Sequence, residues 1–162
     1  MRNAFVVLAL LFTAFSGFAA DPVYLDQLME TPLATLQTQF PGLKKEGCYR
    51  LADGRYVRIE IDRKDGKPKS VTIANVAPCR KATDGPAIDV RQRKGVELGD
   101  TTIAVIEKMG RPDASAAPEA PLAKLGETEY FYVCRVSEGC ARHTSIVMQN
   151  GLVTAIAEWY SE

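Results

Sequence analysis

An Asn-Gly pair at positions 150–151, flanked on both sides by apolar runs, commits the C-terminal part of this chain to an antiparallel hairpin. A two-residue type I′ turn needs positive φ at both central positions, and Asn-Gly is the pair that adopts it most readily. The flanking runs, His143 to Gln149 and Leu152 to Tyr160, have strand length, and Glu127 to Val136 adds a third strand before a turn at Ser137-Glu138-Gly139. The first half carries the same signal. Between Arg55 and Asp62, Val57, Ile59 and Ile61 alternate with Tyr56, Arg58 and Glu60, the period of a half-buried strand. A strand from Gly47 to Leu51 and the turn Ala52-Asp53-Gly54 precede it. Arg63 to Pro68 then turns the chain into a strand from Lys69 to Asn75, with Val71 and Ile73 inward.

Each set of strands follows a helical segment. Thr31-Pro32 opens the first, with Leu33, Leu36 and Phe40 on one face and Pro41-Gly42 as the stop. Asp100 or Thr101 caps the second, where Ile103, Ile106 and Met109 form the predicted apolar face and Gly110 and Pro112 end the helix. The fold class is therefore α+β. The two halves align as tandem units, each a short helix on an antiparallel three-stranded sheet, over residues 21–78 and 96–162 with a linker at 79–95. A single α+β domain whose halves share only generic helix and strand grammar fits the same pattern.

Residues 1–20 read as a removable secretory signal: Arg2, an apolar run from Ala4 to Phe15, then small residues through Ala20. The run is shorter than the roughly 20 residues that cross a bilayer. Gly17 and Ala19 at −3 and −1 favour cleavage after Ala19, and no lipid-attachment cysteine lies near the cut, so the sequence predicts a periplasmic protein without a membrane anchor. Losing Arg2 leaves 19 basic against 20 acidic residues, a balance that argues against nucleic acid as the main partner. The charge is uneven: Lys44 to Lys69 holds nine basic and five acidic residues, while Asp113 to Glu162 holds three and seven. Cys48, Cys79, Cys134 and Cys140 form an even set in an exported chain, which reads as two disulfides. Of three connectivities, Cys48–Cys79 and Cys134–Cys140 are favoured. The spacings match no zinc pattern, and no metal or cofactor is expected.

The stretch Gly95-Val96-Glu97-Leu98-Gly99-Asp100-Thr101, continuing through Val105 to Gly110-Arg111-Pro112, resembles the G-x-x-L-G-D-T opening of a superfamily of small envelope proteins. That group includes the β-lactamase inhibitor proteins and small lipoproteins of the outer-membrane assembly machinery. The resemblance implies helix-plus-three-strand units, in tandem for the inhibitors, and a role in binding protein. The motif itself is backbone punctuation: glycines for freedom, Asp100 or Thr101 for the cap, Pro112 to prevent continuation.

Catalytic constellations are sparse. His143 is the sole histidine, and no nucleophile elbow, P-loop or dinucleotide fingerprint occurs. Glu127 and Glu129, two apart on a strand, share a face and would suit acid–base work only in a pocket that shifts a pKa. Interface chemistry is better represented. With Phe131 and Val133 taken toward the helix, Tyr130 and Tyr132 decorate the open sheet surface, joined by Tyr56, Arg58 and Glu60 from the first half and by Trp159. The opposite assignment puts the tyrosines in the core. The sequence thus points to a non-enzymatic protein-binding module, an inhibitor or an immunity protein. An envelope-assembly accessory factor and a small cell-wall hydrolase are the alternatives. Cleavage after Ala20 is also possible, so the exported protein should begin at Ala20 or Asp21, to be checked by N-terminal sequencing of the secreted form; retention of Met1 would contradict it.

Overall fold

Period-two segments rich in Val, Ile and Tyr become strands, and the i, i+3, i+4 segments become three short helices. The computed structural model describes residues 21–133 and 142–160; the leader, the Ser137-Glu138-Gly139 turn and the Cys134–Cys140 pairing lie outside the described residues. In chain order the elements are β1 (Val23–Tyr24), α1 (Leu25–Glu30), α2 (Leu33–Gln39), β2 (Glu46–Arg50), β3 (Tyr56–Ile61), β4 (Pro68–Ala74), β5 (Thr83–Asp84), β6 (Val90–Arg91), α3 (Thr102–Met109), β7 (Ala114–Ala116), β8 (Thr128–Val133), β9 (Arg142–Gln149) and β10 (Leu152–Tyr160). A 3-10 turn at Leu122–Lys124 lies between β7 and β8. No helix among the described residues is long and apolar enough to cross a membrane.

The class is α+β, but the strands build one eight-stranded sheet rather than two separate three-stranded ones. Its order is β5-β2-β3-β4-β10-β9-β8-β7, antiparallel except where β5 joins β2. The two meanders, β2-β3-β4 and β8-β9-β10, meet through their last strands, with Ala74 opposite Ala155, Ile73 opposite Ile156 and Ser70 opposite Trp159. Each meander alone would leave an unpaired row of backbone donors and acceptors at that edge, and the pairing removes both. The β9–β10 turn has φ of 52° at Asn150 and 74° at Gly151, the primed geometry that its sequence requires.

One face of the sheet carries the helices. Val57, Ile59, Val71, Ile73, Ile146 and Ile156 point into this core, where Leu25, Leu28 and Met29 of α1 and Leu36 of α2 close over them, with Phe40 just beyond α2. Helix α1, whose apolar residues are spaced three and four apart, precedes the first helix predicted from sequence. The Gln27 side chain accepts the Tyr24 N–H at 2.9 Å and fixes its start.

Helix α3 begins as predicted, with Thr101 Oγ1 accepting the Ala104 N–H at 3.3 Å. Its buried face differs. Val105 is the buried residue and Met109 packs on the core, whereas Ile103 is 70% exposed and Ile106 39%. Two backbone bonds tie the helix entrance to β10, Gly99 N–H to Val153 O at 2.8 Å and Val153 N–H to Asp100 O at 2.9 Å. That anchoring sets the rotation of the helix and turns Val105 inward.

The segment between the halves folds back onto both. β5 extends the sheet beyond β2, β6 pairs in parallel with β1, and Cys79 is disulfide-bonded to Cys48 of β2 across 31 residues of sequence. Closing a loop of that length restricts the unfolded chain, so a Cys48→Ser, Cys79→Ser double variant should lose ~2–4 kcal/mol of unfolding free energy in urea. An unchanged midpoint would mean that the bond contributes nothing.

Candidate functional site on the open sheet face

Residues that alternate with the core residues point to the other face. Register places Tyr56, Arg58 and Glu60 of β3 there, beside Ser70 and Thr72 of β4, Ala157 and Trp159 of β10, Ser145 and His143 of β9, and Glu129, Phe131 and Val133 of β8. Small side chains at Ala74, Ala155 and Ala157 make room for Leu122 and Leu125, which form a second, smaller apolar cluster with Val147 on this side. The loop is held close. Thr154, the extra residue of a bulge in β10, donates its hydroxyl to Leu125 O, and a Cβ at Gly126 would lie 2.5 Å from Met148 O.

Between this loop and the strands runs a groove of about 500 Å³, with Glu119, Pro121 and Leu122 on one wall and Lys69, Ser70 and Thr72 on the other. Arg58, Glu129, Phe131, Ala157 and Trp159 also line it. Arg58 is buried and doubly paired, with Glu46 at 3.0 Å and with Glu60. Glu60 also accepts from Ser70 Oγ at 3.0 Å. Trp159 donates its indole N–H to Ser145 Oγ at 3.0 Å and stacks on His143 with ring centroids 4.5 Å apart. Beside Ser145 lies Glu129, whose carboxyl is pushed above its ordinary value, chiefly by burial and further by the nearby Glu119 charge, while the Ser145 hydroxyl works the other way.

The sequence-predicted surface residues therefore divide. Tyr56, Arg58, Glu60 and Trp159 share the open face. Tyr130 and Tyr132 do not: register turns them to the helix side, where Tyr132 is buried with its hydroxyl donating to Gly110 O at 3.2 Å, and Tyr130 packs on the core. The cause lies in α3, whose end at Gly110 offers the carbonyl that a buried phenol requires. Phe131 and Val133 take the outward positions. Alternation alone left the choice open because both faces of β8 are apolar. The Glu127–Glu129 pair is also reassigned: exposed Glu127 accepts from Gln149 Nε2 at 2.7 Å, and the acid facing Glu129 is Glu119, on a loop no strand pattern locates. Among the described residues His143 makes no ion pair with a carboxylate, and its Nδ1 is buried without a hydrogen-bond partner.

A second charged cluster lies on the helix side, where β10 meets α1. Glu158, 2% exposed, faces Arg142, whose Nε is 3.0 Å from Glu158 Oε2 but off the hydrogen-bonding direction, so the attraction is coulombic. Asp26 of α1 is gripped by Arg93 and lies 3.8 Å from Arg142. Tyr160 donates to Glu30, which also pairs with Lys67 at 3.2 Å. The guanidinium of Arg93 sits 4.6 Å from the ring centroid of Tyr24. These contacts tie α1 to β10 and to the segment before α3. Comparison with protein families, with curated proteins and with solved structures finds no match to this chain.

Burial raises the Glu158 carboxyl from its ordinary 4.5 to about 7, against the pull of Arg142. A carboxyl whose folded pKa lies above its unfolded one supports the fold fully at low pH, and that support fades as pH rises from 4.5 through 7. Glu158→Gln, which mimics the protonated acid, should therefore gain stability over wild type by about 2–3 kcal/mol between about pH 4.5 and pH 8, read by urea unfolding. A difference that stays flat with pH would show that Glu158 is not held in its neutral form.

Proposed function

We propose that this protein is exported to the periplasm and binds another protein across the open face of its sheet. The observation that carries this reading is the grooved face itself, on which no α-helix of the described residues packs. Phe131, Val133 (46% exposed) and Trp159 turn outward on it beside the Arg58–Glu60 pair, with the sheet and a helix layer as a rigid backing. Aromatic side chains and arginine on a rigid surface are the usual energetic anchors of interfaces. Arg58, locked between Glu46 and Glu60, is preorganised and loses little freedom when a partner arrives.

The finer reading is an inhibitor or immunity protein built from two tandem units, in the manner of the β-lactamase inhibitor group. In its favour stand the two three-stranded meanders related about the β4–β10 seam, each following a short helix, α2 and α3. An envelope destination fits the leader-like N-terminus and the Cys48–Cys79 disulfide, which persists in oxidising compartments.

Capture from envelope extract with the mature protein as bait tests this. Phe131→Ala and Val133→Ala should each weaken retention of the captured protein by about tenfold, with little change in melting temperature. Tyr132→Ala should do the reverse, lowering the melting temperature and leaving affinity intact. Retention that follows Tyr132 and ignores Phe131 and Val133 would move the interface off this face.

A further inference from the structure

Three acidic or basic side chains are buried among the described residues: Arg58, Glu129 and Glu158. Arg58 has Glu46 and Glu60, and Glu158 has Arg142. Several half-buried acids are paired in the same way, Asp89 with Arg55 and Arg91, and Asp100 with Lys108. Glu129, 6% exposed, is the exception among the buried three: no basic group of the described residues lies within ion-pair distance of it. Its neighbours are the neutral Ser145 hydroxyl and the like charge of Glu119, and both acids line the groove. A buried carboxylate without a counter-charge is a standing cost to the fold. At the wall of a groove, such a carboxylate is placed to take a counter-charge from outside.

We propose that the groove receives a lysine or arginine side chain of the bound protein, its charge set between Glu129 and Glu119 and its stem packed on Phe131 and Trp159. The inference rests on the docking reading above and names the chemistry of the partner at that site. Three features favour a side chain over a bare ion. At about 500 Å³ the groove is far roomier than a single cation needs. Phe131 and Trp159 offer apolar and π surface, which suits an aliphatic stem or a guanidinium plane. The groove's own cations are already engaged, Arg58 with Glu46 and Glu60, and Lys69 3.8 Å from Glu60, so neither neutralises the Glu119–Glu129 end. Insertion would give Glu129 an opposite charge and favour its ionised form.

Trp159 is the sole tryptophan of the chain and lines the groove, so its fluorescence reports occupancy directly. The mature protein is titrated at constant ionic strength with acetyl-Gly-Arg-Gly-amide and with the neutral, nearly isosteric citrulline peptide. A saturable change with arginine and none with citrulline is expected, and Glu129→Gln should weaken the arginine response by about tenfold or more. Equal responses to the two peptides, or none to either, would overturn the proposal. This comparison holds in the wild-type protein even if Glu129→Gln fails to fold. Retention of the captured protein separates the two readings. If Glu129→Gln retains it fully while Phe131→Ala loses it, the cation site falls and the docking face stands. If neither variant changes retention, both fall.

Discussion

The antiparallel seam between β4 and β10 is the constraint on which the rest of the structure depends. It turns two meanders into one sheet, and it does so with residues that serve both faces. Ile73 and Ile156 meet on the helix side and are buried there, while Thr72 and Ala157 meet on the other. Small side chains at Ala74, Ala155 and Ala157 lower the centre of the open face, and the 119–126 loop settles against it through Leu122 and Leu125. The groove exists because the seam is floored with alanine and threonine where larger residues would fill it.

The two faces place their charges differently. On the helix side, acids and bases are interleaved around α1, so that Asp26, Glu30 and Glu158 each meet a cation. Burial still dominates at Glu158 and holds its carboxyl near 7, because one coulombic contact off the hydrogen-bonding direction does not replace lost hydration. On the open face, among the described residues, the pairing is complete around Arg58 and absent around Glu129. The first cluster fastens elements of this chain together. The second is left incomplete by the described residues, which makes it the place to look for a partner.

Much of the fold was legible in the sequence, because periodicity and turn chemistry are local. Asn150-Gly151, the alternation in β3 and the Thr101 cap each specify their element without reference to the rest of the molecule. The Cys48–Cys79 pairing was legible too, since its cysteines bracket one meander. What escaped was relational. Nothing in the spacing of Ile103, Val105 and Ile106 shows that backbone bonds to Val153 will rotate α3 and bury the valine. The orientation of β8 escaped for a similar reason: both of its faces are apolar, and the deciding hydrogen-bond partner of Tyr132 is the carbonyl of Gly110, 22 residues away. The joining of two sheets into one depends on an edge-to-edge match that no single strand encodes. The candidate site suffered most, for Glu119 and Leu122 sit on a loop whose sequence carries no strand or helix period.

The account stands on the open sheet face being the surface that a partner covers. Hydroxyl-radical footprinting with and without the captured protein reads this side chain by side chain. Oxidation of Phe131, Val133 and Trp159 should fall on binding, while Ile103 and Ile106, exposed on the helix layer, should remain as reactive as in the free protein. Protection of Ile103 and Ile106 with Phe131, Val133 and Trp159 unchanged would contradict it.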